Sequence, residues 1–593
     1  MHSRPSLTCS PHNYLLILIL AFSITSFFHT TLTCTAVDIT IDTTSQLSRT
    51  SETSWACVNL DWWPETKCDY GICPWGTSSL LTIDLDNQHL INAVKKMSPV
   101  FLRLGGSLSD FVRYDFPGVE KCVPFSVPIN DTHNGYQIGT GCLTKKRWDH
   151  LNQFCDAAGC SIIFDVGALL GRTKTSCPSD TNCAYGNAYD HYRPSCCGDW
   201  YGDWDSKNAR QLLEYTKKKN YKIWGFEFGN EIVGEGGIEA HLSARQYAKD
   251  FCVFSKLVKD VWHDDVLRPK VIAPDAAFER SWYADFLRHA TMLGCVPDVL
   301  TWHQYILGAG VNPVAGTRAI DPYWLDRQKK HGDDVESTIR ITSKQLGIVP
   351  PEIWVGEAGG TYNSGRKGVT NAFVSSFWFL DSFGILAQRG HQTFCRQTLV
   401  GGDYGLLEKE TFRPNPDYYA LLLWQKKMGK GVLGVEDDGA NSKIRAYAHC
   451  SGSDDGGDSS GNDSSTVGDV AVLLINLSAE QHEFVTLSVG GASSETVRID
   501  YVISSDSIDS QRIKLNGKWV NDVSDDGTFP MLAGVERRGN VVVLEPLTYG
   551  FYVFKSIEAI GCQQFNRIDV EERLLPRQYG ESSVDHPMLR QRL

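Results

Sequence analysis

The sequence predicts a (β/α)8 TIM barrel of the α/β class followed by a C-terminal β-sandwich. Three observations carry this. Eight short β-branched or aromatic runs recur between residues 55 and 397, separated by longer segments that hold helix candidates. The texture then changes after residue 430 to β-rich runs broken by Gly, Asn, Asp and Ser. The chain is also 593 residues long, more than one hydrophobic core serves, so a large domain plus a smaller one is expected.

The eight runs are 55–60, 100–104, 161–166, 222–228, 270–273, 299–302, 352–355 and 392–397. Strand and helix alternating eight times is the pattern of a closed parallel barrel. Between the runs, 244–262 repeats Tyr247, Phe251, Phe254, Val258 and Val261 at helical spacing behind Ser243, a suitable N-cap. Segments 335–346 and 371–388 have the same character, whereas 107–148 fits no strand–helix unit. Runs such as "KIRAYAHC", "DVAVLLINLS" and "NVVVLEPLTYGFYVFKS" read as an antiparallel sandwich. The expected domains are a barrel over 50–430 and a sandwich over 431–560, which part of 37–49 is free to join. The tail 563–593 is polar.

Residues 1–36 read as a secretory signal peptide. His2 and Arg4 precede an apolar stretch at 14–28, and small residues around Ala36 suit cleavage. Of 18 Cys, 16 lie beyond that segment, crowded before residue 200; in a secreted chain they read as disulfides. No paired C-x-x-C sites with His partners occur, so no metal site and no cofactor are expected. Asn130, Asn462 and Asn476 head sequons and are candidate glycosylation sites. Residues 451–465, rich in Gly, Ser and Asp, read as a loop. The formal net charge of -13 argues against a nucleic-acid partner. No later stretch is long and apolar enough for an integral membrane segment.

Barrel geometry gives meaning to two glutamates. Active sites of such barrels lie at the C-terminal ends of the strands. Glu231, in "GFEFGNEI", follows the fourth run, and Glu357, in "IWVGEAGG", follows the seventh. Facing each other across the mouth, they form the pair a glycosidase needs: one carboxylic acid protonates the leaving oxygen while the other attacks the anomeric carbon or activates water. Glu227, alternating with Phe226 and Phe228, reads instead as a buried, hydrogen-bonded strand residue. Trp62, Trp63 and Trp75 are either sugar-stacking or local core residues.

Six ordered motifs, "FLRLGGSLSDF", "FDVGALLGR", "FEFGNE", "TWHQYIL", "WVGEAGGTYNSG" and "RQTLVGGDYGLL", together resemble the heparanase and β-glucuronidase family of glycoside hydrolases, in its plant heparanase-like branch. The resemblance covers most of 50–560. It implies a retaining double-displacement hydrolase acting on β-linked glucuronic acid, with Glu231 as acid/base and Glu357 as nucleophile. It implies that Asn230 bonds the sugar 2-hydroxyl and Asp61 holds other hydroxyls. Ser107 would stand beside the substrate carboxylate, and Tyr404 would add a donor. Backbone N–H groups of Asn363 and Ser364 would cradle that carboxylate, at positions where relatives often carry glycine. His303 and Tyr305 would line the floor, and Arg103 would help keep Glu357 ionised.

The basic clusters "KKRW" (145–148), "YTKKKNYK" (215–222) and "DRQKKH" (326–331) read as solvated faces in an acidic chain. A non-sulfated glucuronate-bearing polysaccharide or proteoglycan, such as arabinogalactan, is therefore expected ahead of heparan sulfate. The expected location is extracellular, in the cell wall, or else in a vacuole or lysosome. Animal members of the family excise a linker; the corresponding stretch here, near 114–147, holds Cys122 and Cys142, whose pairing would hinder excision. The competing expectation is a catalytically silent glycan-binding protein of the cell wall on the same fold; two intact glutamates favour the hydrolase.

Overall fold

The computed structural model describes residues 37–562, apart from 120–121, 124, 126–139, 175–199, 234–239, 264–265, 438–441, 453–467 and 558. Candidate acceptors Asn130 and Asn462, the leader segment and the polar tail lie outside these residues.

Eight strands close into a parallel barrel. In chain order they are β1 Ala56–Asp61, β2 Val100–Gly105, β3 Cys160–Val166, β4 Ile223–Phe228, β5 Lys270–Ala277, β6 Val299–Gln304, β7 Glu352–Ala358 and β8 Thr393–Arg396. The ring closes where β8 pairs with β1, Cys395 opposite Cys57, and a disulfide joins the two. Every expected strand is present. The last polar residues of β5, β6 and β7 extend past the apolar runs that announced them.

The outer helices are α1 Gln88–Met97, α2 Lys145–Ala158, α3 Lys207–Lys218, α4 Ala244–Val261, α5 Arg280–Met292, α6 Arg327–Leu346, α7 Ser375–Gln388 and α8 Pro416–Lys427. Ser243 caps α4 as its sequence suggests, accepting from the Gln246 N–H at 3.3 Å. Asn87 and Thr144 do the same for α1 and α2. Among its described residues, stretch 107–148 holds a short 3-10 turn and the strand Val112–Tyr114, which pairs with Gly141–Leu143 before α2 begins at Lys145. Cys122 and Cys142 are paired across it.

The C-terminal domain is one curled sheet rather than two separate ones. Ten strands form a continuous hydrogen-bonded path, and an eleventh, Val535–Arg538, pairs with Val497–Ser504 off it. Its join is the N-terminal strand Val37–Arg49, antiparallel to Met428–Asp437 and parallel to Glu483–Val489. That one parallel pair departs from the expected all-antiparallel sandwich, because the strand comes from the far end of the chain. The sheet folds over a core holding Ile39, Leu433, Val472, Leu487, Val542 and Phe554. Strand Val470–Asn476 is buried along its whole length. Val470, Val472 and Leu474 face that inner core, while Ala471, Leu473 and Ile475 face the barrel. Burial on both faces is why its sequence is continuously apolar.

Helices α7 and α8 lie between the two domains. A Cβ on Gly384 of α7 would stand 2.1 Å from the Tyr447 ring, so only glycine permits this approach. The Tyr447 hydroxyl donates to Asp381 at 2.6 Å. Among the described residues no helix is long and apolar enough to cross a membrane. Asn476 corrects the sequence expectation of a glycan there: it is fully buried. Its amide donates to the carbonyls of Gln481 at 2.9 Å and Glu545 at 3.0 Å, so it is no acceptor in the folded chain.

Candidate active site

Strand ends at one mouth of the barrel bring Glu231 and Glu357 together. Each offers a carboxylate oxygen within 4.8 Å of the other and of a His303 ring nitrogen. Glu231 sits just beyond β4 with φ +54°, a left-handed conformation that costs a non-glycine residue roughly 1–2 kcal/mol. Its N–H donates to the Asp275 carbonyl at 2.9 Å, which holds the turn. Gly229 makes that turn possible, since a Cβ there would lie 2.8 Å from Ala168.

The two glutamates have different surroundings. The Glu231 carboxylate hydrogen-bonds His303 Nδ1 at 2.8 Å. Burial pushes its pKa up, the Glu357 and Asp275 charges add to this, and His303 opposes it. Glu357 accepts a hydrogen bond from the Tyr305 hydroxyl and a charged one from Arg103 Nη1 at 3.3 Å. Arg103 is the hub beneath: it donates to Glu227 at 2.7 Å, to Asn230 Oδ1 at 2.9 Å and to Asp275. His303 Nε2 binds Asp275 at 2.7 Å. Burial alone would lower the His303 pKa, but the Asp275 and Glu357 charges and its two carboxylate partners hold it well above the ordinary value. Asp275 is held low: burial would raise it, and the Arg103 and His303 cations prevail. With both ring nitrogens committed to carboxylates, a protonated His303 has no lone pair for a metal, although it and the two glutamates are close enough to surround one.

The other expected residues gather around this pair. Among the described residues, the buried amide NH2 of Asn230 meets no protein acceptor. Asp61 accepts from the Trp62 N–H at 2.7 Å and from Gln397 Nε2 at 3.0 Å; burial, reinforced by the Glu357 charge, pushes it up to about 7. Gln397 also reaches the Tyr404 hydroxyl at 3.3 Å. Ser107 stands half-buried just past β2. Glu227 is a buried strand residue as expected, bound by Arg103 and Thr301. Trp62 and Trp75 are fully buried and Trp63 nearly so, which makes them core rather than sugar-stacking residues.

Asn363, Ser364 and Gly365 have φ of +58°, +65° and +80°. Three successive left-handed residues turn the chain tightly, and the backbone N–H groups of such a turn can serve as a nest for an anion. Among the described residues their N–H groups meet no protein acceptor. The non-glycine pair is tolerated because each side chain is anchored: Asn363 donates to the Tyr70 hydroxyl at 2.8 Å, and Ser364 Oγ donates to Asp69 and accepts from Trp75 Nε1 at 2.8 Å.

Sequence reasoning missed Asp275, Gln397, Asp69 and Tyr70. Asp275 follows an apolar run that ends in Ala273-Pro274, and the proline concealed the strand's continuation.

A parallel barrel carrying two close carboxylates at the ends of β4 and β7 defines a glycoside hydrolase. The comparisons agree with that class. The chain is 14% identical to the α-L-arabinofuranosidase of Thermotoga maritima, with a TM-score of 0.58 over 87% of this chain and 99% of that one. The profile of glycosyl hydrolase family 79, N-terminal domain, matches residues 36–384, and the chain belongs to that family. It is 37% identical to heparanase-like protein 2 of Arabidopsis thaliana, over 82% of each chain. It is 34% identical to baicalin-β-D-glucuronidase of Scutellaria baicalensis, over 84% of this chain and 89% of that one.

Proposed function

We propose that this chain is a secreted retaining β-glucuronidase acting on a glucuronate-bearing glycan such as arabinogalactan. The carrying observation is the approach of Glu231 and Glu357 oxygens to within 4.8 Å. Retaining enzymes separate their carboxyl groups by about 5–5.5 Å, whereas inverting ones leave about 6.5–9.5 Å for a water. The asymmetry of the pair supports the roles. Glu231, its pKa raised by burial, is the group that holds a proton for the leaving oxygen. Glu357, oriented by Tyr305 and Arg103, attacks the anomeric carbon and forms the glycosyl-enzyme. Glu231 then takes the proton of the deglycosylating water.

Substrate class rests on the nest at Asn363, Ser364 and Gly365, which suits a sugar carboxylate, and on the glucuronidase name of the Scutellaria relative. A net charge of -13 favours a non-sulfated chain over a sulfated one. Turnover of 4-nitrophenyl β-D-glucuronide beside the matching glucoside and galactoside is the test. Preference for the glucuronide, with β-glucuronic acid as the first product seen by NMR, is expected. The α anomer appearing first would refute retention, and preference for either neutral glycoside would refute the substrate class.

A further inference from the structure

Residues 67–75 leave the barrel mouth after β1 and form a miniature hairpin. Asp69 and Ile72 exchange backbone hydrogen bonds at 2.8 and 3.0 Å around Tyr70 and Gly71, whose φ values are +54° and +80°. Two positive φ values in succession make the tight turn that a two-residue hairpin needs. The disulfide Cys68–Cys73 closes the loop across its base.

What this hairpin touches is the nest. Its Tyr70 and Asp69 hold the side chains of Asn363 and Ser364, residues nearly three hundred positions away. Trp75, its last residue, donates to the same Ser364 hydroxyl and packs edge-on against Tyr404 at 6.0 Å. With those side chains turned toward the hairpin, the main-chain N–H groups of 363–365 remain for a ligand. Asp69 alone would repel a bound anion. Lys67 Nζ answers it from 2.6 Å, in a pair whose two side chains are almost fully buried, and also lies over the Trp63 ring at 4.7 Å.

We infer that the 67–75 hairpin is the specificity element of the site: it fixes residues 363–365 in the form that receives a uronate carboxylate. The inference rests on the glucuronidase reading above. Asp69 and Tyr70 are positioning residues here, acting through Ser364 and Asn363.

Steady-state kinetics of the purified full chain on 4-nitrophenyl β-D-glucuronide and β-D-glucoside test it, alongside calorimetric titration with D-glucuronate. In Tyr70→Phe, KM for the glucuronide and the glucuronate Kd should each rise about tenfold, roughly the worth of one or two lost hydrogen bonds, with kcat on both substrates nearly unchanged. Asp69→Asn weakens the Ser364 anchor but also removes a negative charge near the bound anion, so its KM and Kd should rise less than those of Tyr70→Phe. A merely structural hairpin would instead lower kcat on both substrates together. That outcome, or unchanged KM and Kd in both variants, would overturn the inference. Failure of the unsubstituted chain to hydrolyse the glucuronide would overturn the underlying reading, and the inference with it.

Discussion

At the closed end of the barrel, Cys57, Phe101, Ile163, Ile272, Val299, Trp354 and Cys395 form a small core of their own. Phe101 packs at 5.1 Å from Trp354, and Trp224 stacks on Trp354 at 4.8 Å. Two residues further along several of the same strands stand Asn59, Arg103, Asp165, Thr301 and Gln397, with Glu227 and Asp275 in the same layer, all buried. Strand alternation by two thus carries the interior from aromatic rings and a disulfide to a buried network of charges within one step. The first layer stabilises by burial. In the second, burial penalises charge, and Arg103 and His303 are set against more carboxyls than they can neutralise. Glu227 is accordingly pushed up to about 8 and Asp110 up to about 6, burial being the main cause in each. Asp165, whose two oxygens meet no hydrogen-bond partner among the described residues, rises well above the carboxylate range, again chiefly by burial. A barrel can keep such a layer only because the layer below holds the ring closed.

The sharpest break of this contrast is Glu357→Ala. It should lower kcat by roughly four orders of magnitude, the scale of losing a nucleophile, while the melting temperature stays near that of the parent. Glu231→Ala should lose roughly 100- to 10,000-fold on substrates with poor leaving groups, yet still form the glycosyl-enzyme from a nitrophenyl glucuronide. Azide should accelerate that variant and yield the β-azide, and should give only the α-azide with Glu357→Ala. Exchanged stereochemistry would reverse the two roles.

Changes in the lower layer should do the opposite. Trp354→Ala should cost about 3–5 kcal/mol in denaturant unfolding while leaving the kcat of the folded fraction intact. Replacing Cys57 and Cys395 together by Ala should cost about 2–4 kcal/mol by the same measurement, since that bridge closes a sequence separation of 338 residues. A comparable loss of kcat at low temperature would show that the two layers are not separable.

The smallest effect is in pH. Asp61, Asp110 and Glu227 titrate higher folded than unfolded, at about 7, 6 and 8, so the folded chain retains protons that the unfolded chain has released. The raised pKa of His303 acts in the same sense above pH 6.5. Stability should therefore fall as pH rises from about 4 to 8, and a thermal scan at pH 5 should show a melting point several degrees above that at pH 8. Activity should decline as pH rises and Glu231, whose pKa burial raises, loses its proton. A melting point rising toward pH 8 would contradict this balance of charges.

The sequence announced the barrel through its lower layer and lost sight of the upper one. Runs such as 270–273 and 299–302 are apolar because they build the buried floor, and they stop where Asp275 and His303 begin. Helix α6 was legible only from Val335, because its first turns bury Gln328 and Gly332 where an apolar stripe would be expected. Glu231 and Glu357 could be found because strand ends are where barrel sites lie. The hairpin at 67–75 could not, since Asp69 and Tyr70 acquire meaning only beside residues 363 and 364. The parallel pairing of Val37–Arg49 was hidden for the same reason.

That first strand has a consequence for how the chain is made. Its partner Met428–Asp437 is synthesised some 380 residues later, and Glu483–Val489 later still. At about 5–20 residues per second, this leaves roughly 20–80 s in which a finished β-strand has no sheet to enter. Its apolar face, Val37, Ile39 and Ile41, stays uncovered while the whole barrel folds behind it. The domain that closes the molecule is thus begun first and completed last, and a ribosome stalled anywhere before residue 428 releases a chain with an open edge.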